Sequence, residues 1–329
     1  MINNISLKEI GKMLQDAESI LLFPHENADG DALGSCVALC TTLRNEGKRA
    51  SVYVGEKPAD YISFIAGDCC VTENLREENP DICLCVDCSE ESRIPGRLNA
   101  YNSGKVRLTV DHHLATGGFG DYYYIDEKAA ATGELIYDII REMGAEMSRP
   151  AAEALFVAIS TDTGNFRHSN TTPKTHRMAA ELLEAGIDRN RVMVELYENV
   201  DLRQLKVKAA ALDEMEIFAG GKGAITRVSR DMLDGAGASD EHGETVIDML
   251  RDIKGVEIAA VLKEKSDGRI KVSLRAKSAG RVNEIAAKFG GGGHVKAAGC
   301  TLEMSPEEAL ETMKREITHS LEGISGGNK

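Results

Sequence analysis

Apolar residues in this chain come in short runs that end in acids or histidines. Leu21-Leu22-Phe23-Pro24 leads into His25, Asp29 and Asp31, Ile82-Cys83-Leu84-Cys85-Val86 delivers Asp87, and Val106-Arg107-Leu108-Thr109-Val110 is followed by Asp111-His112-His113. Runs this short, bounded by polar residues, read as buried strands over 19–24, 82–86 and 106–110, with a further one over 50–54. Helical spacing fills the stretches between them: 6–16, the segment opening at Asp31 and closing near Gly47, 130–143, and 151–159 after Pro150. Strands alternating with helices of this length predict a doubly wound α/β domain with a mainly parallel sheet. In such sheets ligands gather beyond the carboxyl ends of the strands, which is where all three acid and histidine clusters fall.

Helical spacing continues over 174–184, 189–197 and 202–216, and composition changes at Gly220-Gly221-Lys222-Gly223. Beyond it, strands over 224–228, 256–262 and 270–274 mix with helices over 245–251, 282–289 and 306–321. This predicts a second, smaller α+β domain over 220–329, a first domain over 1–190 and a helical linker over 191–219. A length of 329 residues agrees with two cores rather than one.

Charge and cysteine content narrow the function. A net charge of −14 argues against a protein that coats long nucleic acid, but local cations can still attract a small anion. Such a group lies between Arg269 and Lys296, where Arg269, Lys271, Arg275, Lys277, Arg281, Lys288 and Lys296 face the lone acid Glu284. Of eight cysteines only Cys85 and Cys88 form a CxxC, and no second pair follows at zinc-site spacing, so the thiols read as structural. No apolar stretch approaches the roughly 20 residues that cross a bilayer. Met1-Ile2-Asn3-Asn4 has neither the basic nor the apolar region of a secretory leader, so a cytoplasmic location and no membrane partner are expected.

Carboxylates and imidazoles brought to one sheet edge repel each other unless divalent cations sit among them. His25 and Asp29 can turn toward one ion, Asp31 can reach a second, Asp87 can bridge both, and His112 with Asp162 can complete the second site. Imidazole and carboxylate ligands suit manganese, and to a lesser degree magnesium or zinc. Two ions about 3.5–4 Å apart activate water and neutralise charge at a phosphorus centre. His113 can then donate to the scissile phosphate or leaving oxygen, or can merely orient its neighbours. For Asp31 the competing role is a helix cap. Asp162, in Ser160-Thr161-Asp162-Thr163-Gly164, reads as part of a site loop. Arg167 can contact a substrate phosphate or pair with an acid. Gly290-Gly291-Gly292-Gly293-His294 reads as a loop whose amides meet a phosphate clamped by His294 and Arg275.

Together these residues resemble the DHH phosphoesterase family, whose triplet stands here as Asp111-His112-His113. His25-Glu26-Asn27-Ala28-Asp29-Gly30-Asp31 resembles its first motif, although Glu26-Asn27-Ala28 replaces a stretch where proline often precedes the aspartate. Asp87-Cys88-Ser89 resembles the second motif and Asp162 the fourth, while Gly291-Gly292-Gly293-His294 with Arg275 resembles the DHHA1 substrate domain. The resemblance implies two manganese ions, one on His25, Asp29 and Asp87, the other on Asp31, Asp87, His112 and Asp162. It implies catalytic roles for His113, Asp87 and Asp111, and substrate contacts from Arg275, Gly291, Gly292, Gly293, His294 and Arg167. The implied substrates are RNA fragments of a few nucleotides and 3′-phosphoadenosine 5′-phosphate (pAp). Hydrolysis of linear or cyclic dinucleotides such as pApA is the second reading, and a nucleotide-binding sensor without turnover the third. Long duplex nucleic acid is not an expected partner. A homodimer is compatible with this reading, and nothing in the sequence decides it.

Overall fold

The computed structural model describes residues 3–73, 79–113, 118–243 and 246–326. Met1, Ile2 and Thr245, which figure in the sequence reading, lie outside them. The chain divides into two compact units, Met1–Asn199 and Val200–Lys329.

The first unit is built on a seven-stranded, all-parallel sheet. Its strands are β1 (Asn3–Asn4), β2 (Ser19–Phe23), β3 (Arg49–Tyr53), β4 (Cys70–Val71), β5 (Ile82–Val86), β6 (Val106–Asp111) and β7 (Tyr122–Ile125), ordered β1-β7-β6-β5-β2-β3-β4. From β2 the chain first builds outward through β3 and β4, then returns to the other side of β2 as β5. That reversal between β2 and β5 creates the crevice in which doubly wound sheets hold ligands.

The period-two alternation of the central strands explains why both faces are covered. Ile20 and Leu22 of β2, with Ile82, Leu84 and Val86 of β5, enter the main core. That core includes residues of α1 (Leu7–Asp16), α2 (Gly30–Asn45), α4 (Thr132–Glu142) and α5 (Arg149–Asp162). Leu21, Phe23, Cys83 and Cys85 point the other way, into a smaller cluster with Tyr101 of α3 (Leu98–Asn102) and Phe119. Cys83 and Cys85 are fully buried, and all eight cysteines are free thiols.

The second unit holds a six-stranded mixed sheet of β8 (Glu216–Phe218), β9 (Gly223–Val228), β10 (Ile258–Glu264), β11 (Ile270–Ala276), β12 (Gly292–His294) and β13 (Ala297–Leu302). Its order is β12-β13-β11-β10-β9-β8, with β9 and β10 parallel and the other neighbours antiparallel. Ala309, Met313, Ile317 and Leu321 of the long helix Pro306–Gly326 cover one face. Val207 and Ala211 of the helix Leu202–Asp213 belong to the core on the other. Among the described residues, no helix is long and apolar enough to cross a membrane.

Several elements depart from the sequence reading. Tyr122–Ile125 is a strand whose residues are all half-buried, so it lacks the alternation that identifies strands. The helix expected over 202–216 stops at Asp213, because Glu216–Phe218 pairs with β9. Of the expected glycine loop, Gly292–His294 form the edge strand β12, and Gly290 and Gly291 make the turn that leads into it.

Candidate metal centre

β2, β5 and β6 lie in parallel register, Phe23 opposite Cys85 and Val86 opposite Val110, so their carboxyl ends meet. His25 leaves just after β2, Asp87 follows β5, Asp111 closes β6 and His112 follows it. Asp87 has a positive φ of 60°, a left-handed conformation that is rare outside glycine and asparagine-like residues and that turns the carboxylate away from the strand path.

Asp29, not Asp31, caps α2. Its Oδ1 accepts from the amides of Asp31 (3.1 Å) and Ala32 (3.0 Å), while Oδ2 lies 3.8 Å from His25 Nε2. Asp31 is in the first turn and reaches the start of α4. Its oxygens accept from Thr132 N (2.7 Å), Gly133 N (2.9 Å) and Ser35 Oγ (3.1 Å). Ala131, at the head of α4, has no side-chain capping bond, so the carboxylate of Asp31 satisfies helix amides that would otherwise be orphaned.

Asp162 is the last residue of α5 rather than part of a loop. The hydroxyls of Thr161 and Thr163 bond back to the carbonyls of Val157 (3.0 Å) and Ile159 (2.6 Å), which lets a polar sequence continue the helix. Beyond it, Asn165 and Phe166 both have positive φ. Phe166 then stacks on His176, with centroids 5.4 Å apart and planes at 24°. Asn170 Nδ2 donates to the carbonyls of Ala130 (2.9 Å) and Asp162 (3.1 Å).

His112 Nε2 lies 3.7 Å from each of Asp31 Oδ2, Asp87 Oδ1 and Asp162 Oδ2, and His25 Nε2 lies 3.6 Å from Asp87 Oδ2. These separations are too long for hydrogen bonds. They suit donor atoms ranged around an ion at about 2.0–2.2 Å from each. His112 Nδ1 is turned to the Ala129 carbonyl (3.1 Å) and His25 Nδ1 to that of Glu26 (2.8 Å). Such contacts fix the ring so that Nε2 faces inward. Among the described residues, Asp87 belongs to three candidate metal-holding groups, with His25 and Asp29, with Asp31 and His112, and with Asp111 and His113.

The triplet is held by its own aspartate. Asp111 Oδ1 accepts from His112 N (2.7 Å), His113 N (3.0 Å) and His113 Nδ1 (2.8 Å). His113 Nδ1 is also 3.4 Å from Asp87 Oδ1. Asp111 thus orients the histidines from a fully buried position.

Electrostatics also fit divalent cations. Burial, then the charges of Asp87, Asp162 and Asp29, raises the Asp31 pKa well above the usual range. Burial pushes Asp162 up to about 7, with Asp29 and Asp87 adding to it against His112. Burial opposes ionisation of Asp87, yet contacts with His113 and His25 hold its pKa well below the ordinary value. The same contacts overcome burial to raise His25 to about 10, through Asp29 and Asp87, and His113 to about 11, through Asp111 and Asp87. Protons thus sit where cations would otherwise balance the charge.

Comparison with known proteins matches these elements. The sequence profile of the DHH family, N-terminal domain, fits residues 19–159, and that of the DHHA1 domain fits 220–323. The bifunctional oligoribonuclease and PAP phosphatase NrnA of Thermus thermophilus is 30% identical over 324 residues, covering 95% of each chain. The chain belongs to the DHH/DHHA1 phosphoesterase family. NrnA of Bacillus subtilis is 28% identical over 308 residues, 91% of this chain and 96% of that one. An exopolyphosphatase-related protein from Bacteroides fragilis shares the fold, with a TM-score of 0.89, 24% identity and 97% of both chains covered.

The DHHA1 unit carries the remaining sequence candidates. Ala297 of β13 pairs with His294 of β12 on one side and Arg275 of β11 on the other, so all three share a face. In the next same-facing row, Gly299 separates Gly292 from Ser273, leaving a floor of small residues beside His294 and Arg275. Packing demands two of the glycines: a Cβ at Gly291 would lie 2.2 Å from the Gly299 carbonyl, and one at Gly293 would lie 2.5 Å from that of Ala297. Gly292 faces open space. The surrounding cations are less available than composition suggests. Arg269 pairs with Asp267, Arg281 with Glu284 and Lys288 with Glu316, while Lys277 and Lys296 bond backbone carbonyls. In the DHH unit, Arg167 Nε donates to the Gly164 carbonyl at 3.1 Å.

Thr132, Ser35 and Asn170 were not found by sequence reasoning. Only the helix-opening position of Thr132, after Ala130-Ala131, carried a signal.

Proposed function

We propose that this chain is a divalent-metal-dependent phosphoesterase that hydrolyses short oligoribonucleotides to mononucleotides and pAp to AMP. The observation that carries this reading is the shared Asp87, whose Oδ2 faces His25 while its Oδ1 faces His112. One carboxylate placed between two imidazole-bearing groups is what a two-cation centre requires. The names of the Thermus and Bacillus relatives supply the substrate class.

In this reading His25, Asp29 and Asp87 hold one manganese ion, and Asp31, Asp87, His112 and Asp162 hold the other. When bound, the cations supply an activated water and neutralise charge on the phosphoryl oxygens. Asp111 fixes the His113 ring through Nδ1, and from that orientation the imidazole donates to the phosphate or the departing oxygen. Thr132 and Ser35 keep the carboxylates oriented without competing for charge. Arg275, His294 and the amides of Gly292 and Gly293 receive a terminal phosphate, with Arg167 as a second phosphate contact, while Gly291, whose amide donates to the Ala286 carbonyl at 3.0 Å, shapes the turn that leads into β12. We divide the labour accordingly between the two compact units, Met1–Asn199 for chemistry and Val200–Lys329 for substrate, because the stretch 191–219 expected as a helical linker is shared between their cores.

Product analysis of the manganese-loaded chain on pAp, pApA and RNA of two to five nucleotides tests this. AMP from pAp and mononucleotides from RNA are expected. Tight retention of these nucleotides with no product would identify a sensor instead.

A further inference from the structure

Three consecutive residues beyond Asp162 have left-handed backbones: Gly164 (φ 56°), Asn165 (57°) and Phe166 (63°). Glycine takes this conformation readily and asparagine tolerates it, but for phenylalanine it is strained. Such strain persists only where the surroundings over-determine it. Here the Phe166 ring lies 6.0 Å from the Phe156 centroid and stacks on His176. The Thr163 carbonyl also accepts from the amides of Arg167 (3.0 Å) and His168 (2.9 Å). The turn sends the chain back on itself, and the side chain it returns to the end of α5 is Asn170.

Asn170 Nδ2 lies 2.9 Å from the Ala130 carbonyl, 3.1 Å from the Asp162 carbonyl and 3.4 Å from Asp162 Oδ2. Three acceptors around one atom require the amide nitrogen, not its oxygen, to face them. The bond to Ala130 joins Asp162 to the segment that already orders the rest of the second cation group. The Ala129 carbonyl faces His112 Nδ1 (3.1 Å) and the Thr132 hydroxyl binds Asp87 (2.7 Å). The amides of Thr132 and Gly133 bind Asp31 (2.7 and 2.9 Å). Asp162 is the remaining member, and among the described residues Asn170 donates the one hydrogen bond that its carboxylate accepts. It is also the most open of the four, 27% exposed against 5% for His112 and 1% for Asp31 and Asp87.

We infer that Asn170 is the positioning residue that makes Asp162 a ligand of the second cation. This deepens the proposed function and rests on it. Without the amide, a partly open carboxylate at a helix end is free to turn to solvent, and the second cation keeps three of its four ligands. Asn170 has no bond to His25, Asp29 or Asp87 among the described residues, so the first cation is held as before.

The test titrates metal-stripped protein with Mn2+ in a calorimeter, comparing wild type, Asn170→Ala and Asn170→Leu. Leucine keeps the bulk of the amide but not its donor. Wild type should take up two ions. Both variants should bind one ion about 10–100-fold more weakly, and the other within about twofold of wild type. A double-mutant cycle then separates positioning from general support. In an Asp162→Asn background, Asn170→Leu should alter neither affinity by more than about twofold, because Asn170 acts through that carboxylate. Equal affinities in wild type and both variants would overturn the assignment. So would a loss in Asn170→Ala that Asn170→Leu does not share, or one that persists undiminished in the Asp162→Asn background. Should Asn170→Ala not fold, Asn170→Leu and the cycle still decide. Wild type that binds fewer than two ions would overturn Asn170's role together with the two-cation centre. Wild type that binds both ions yet hydrolyses neither pAp nor short RNA would refute the proposed function, while the calorimetry still decides Asn170.

Discussion

Thr132 gives its hydroxyl to Asp87 Oδ1 at 2.7 Å while its own amide, also at 2.7 Å, binds Asp31 Oδ2. One residue at the head of α4 thus ties together two carboxylates from different elements, Asp87 just after β5 and Asp31 in the first turn of α2. Thr132→Val keeps the shape and the amide but strips Asp87 of a buried donor. An unsatisfied buried acceptor costs about 1–3 kcal/mol. Loss of an orienting partner typically weakens a metal site about 10–100-fold. Calorimetric titration with Mn2+ should show that weakening at the Asp87 centre. Unchanged affinity would mean the hydroxyl is incidental.

The contrast between Thr132 and Asp87 also shows what the sequence made legible. Asp87, Asp111 and His112 each end an apolar run, and parallel strands necessarily bring such ends to one edge. Thr132 is 45 residues from Asp87 and 101 from Asp31. A small polar residue opening a helix looks the same whether it meets solvent or a carboxylate. Asp31 was ambiguous for a related reason: it could cap α2 or serve the site, and the backbone path gives the cap to Asp29 instead. In the second unit, Gly291 and Gly293 also pack closely against β13, a role that depends on a strand pairing composition does not reveal.

The proton load of the centre predicts how stability changes with pH. His25 at about 10 and His113 at about 11 bind their protons more tightly in the folded chain than at the ordinary value of 6.5. Their contribution is therefore complete below about pH 6.5 and is lost as pH rises through 10 to 11. Asp162, raised to about 7, acts with the same sign in a lower window, from about 4 to 7. Metal-stripped protein should accordingly melt at progressively lower temperature between pH 7 and 10. Because cations displace those protons, the stabilisation by added Mn2+ should be larger at pH 8.5 than at pH 6. Thermal melts with and without chelator check both signs, and a flat metal-free profile would contradict the assigned protonation.

Gly34 lies where α2 crosses α5, the two helices that carry Asp31 and Asp162. A Cβ there would stand 2.4 Å from the Ala154 carbonyl and 3.1 Å from Ala158 Cβ, both parts of α5 that cannot swing aside. Gly34→Ala must push the helices apart, at a cost of about 1–3 kcal/mol for overpacking. Urea denaturation should reveal that loss. Mn2+ affinity should fall with it, since Asp162 would move away from His112.

Asp87 is better probed with asparagine than with alanine, because its φ of 60° lies in the left-handed region that asparagine tolerates. Asparagine also preserves an oxygen for the Thr132 hydroxyl. What disappears is the negative charge between His25 and His112, and with it the carboxylate shared by the two candidate cation sites. Activity should drop more than about 100-fold if the removed group stabilises the transition state in the way oxyanion donors do. Metal-free stability should change little. The lost contacts to His25 and His113 destabilise, but removing Asp87 relieves repulsion that raises the pKa of both Asp31 and Asp162. Steady-state rates and melting temperatures on the same preparation separate the two effects. An Asp87→Asn variant that keeps more than about a tenth of the wild-type rate would show that the two ions do not depend on a common carboxylate.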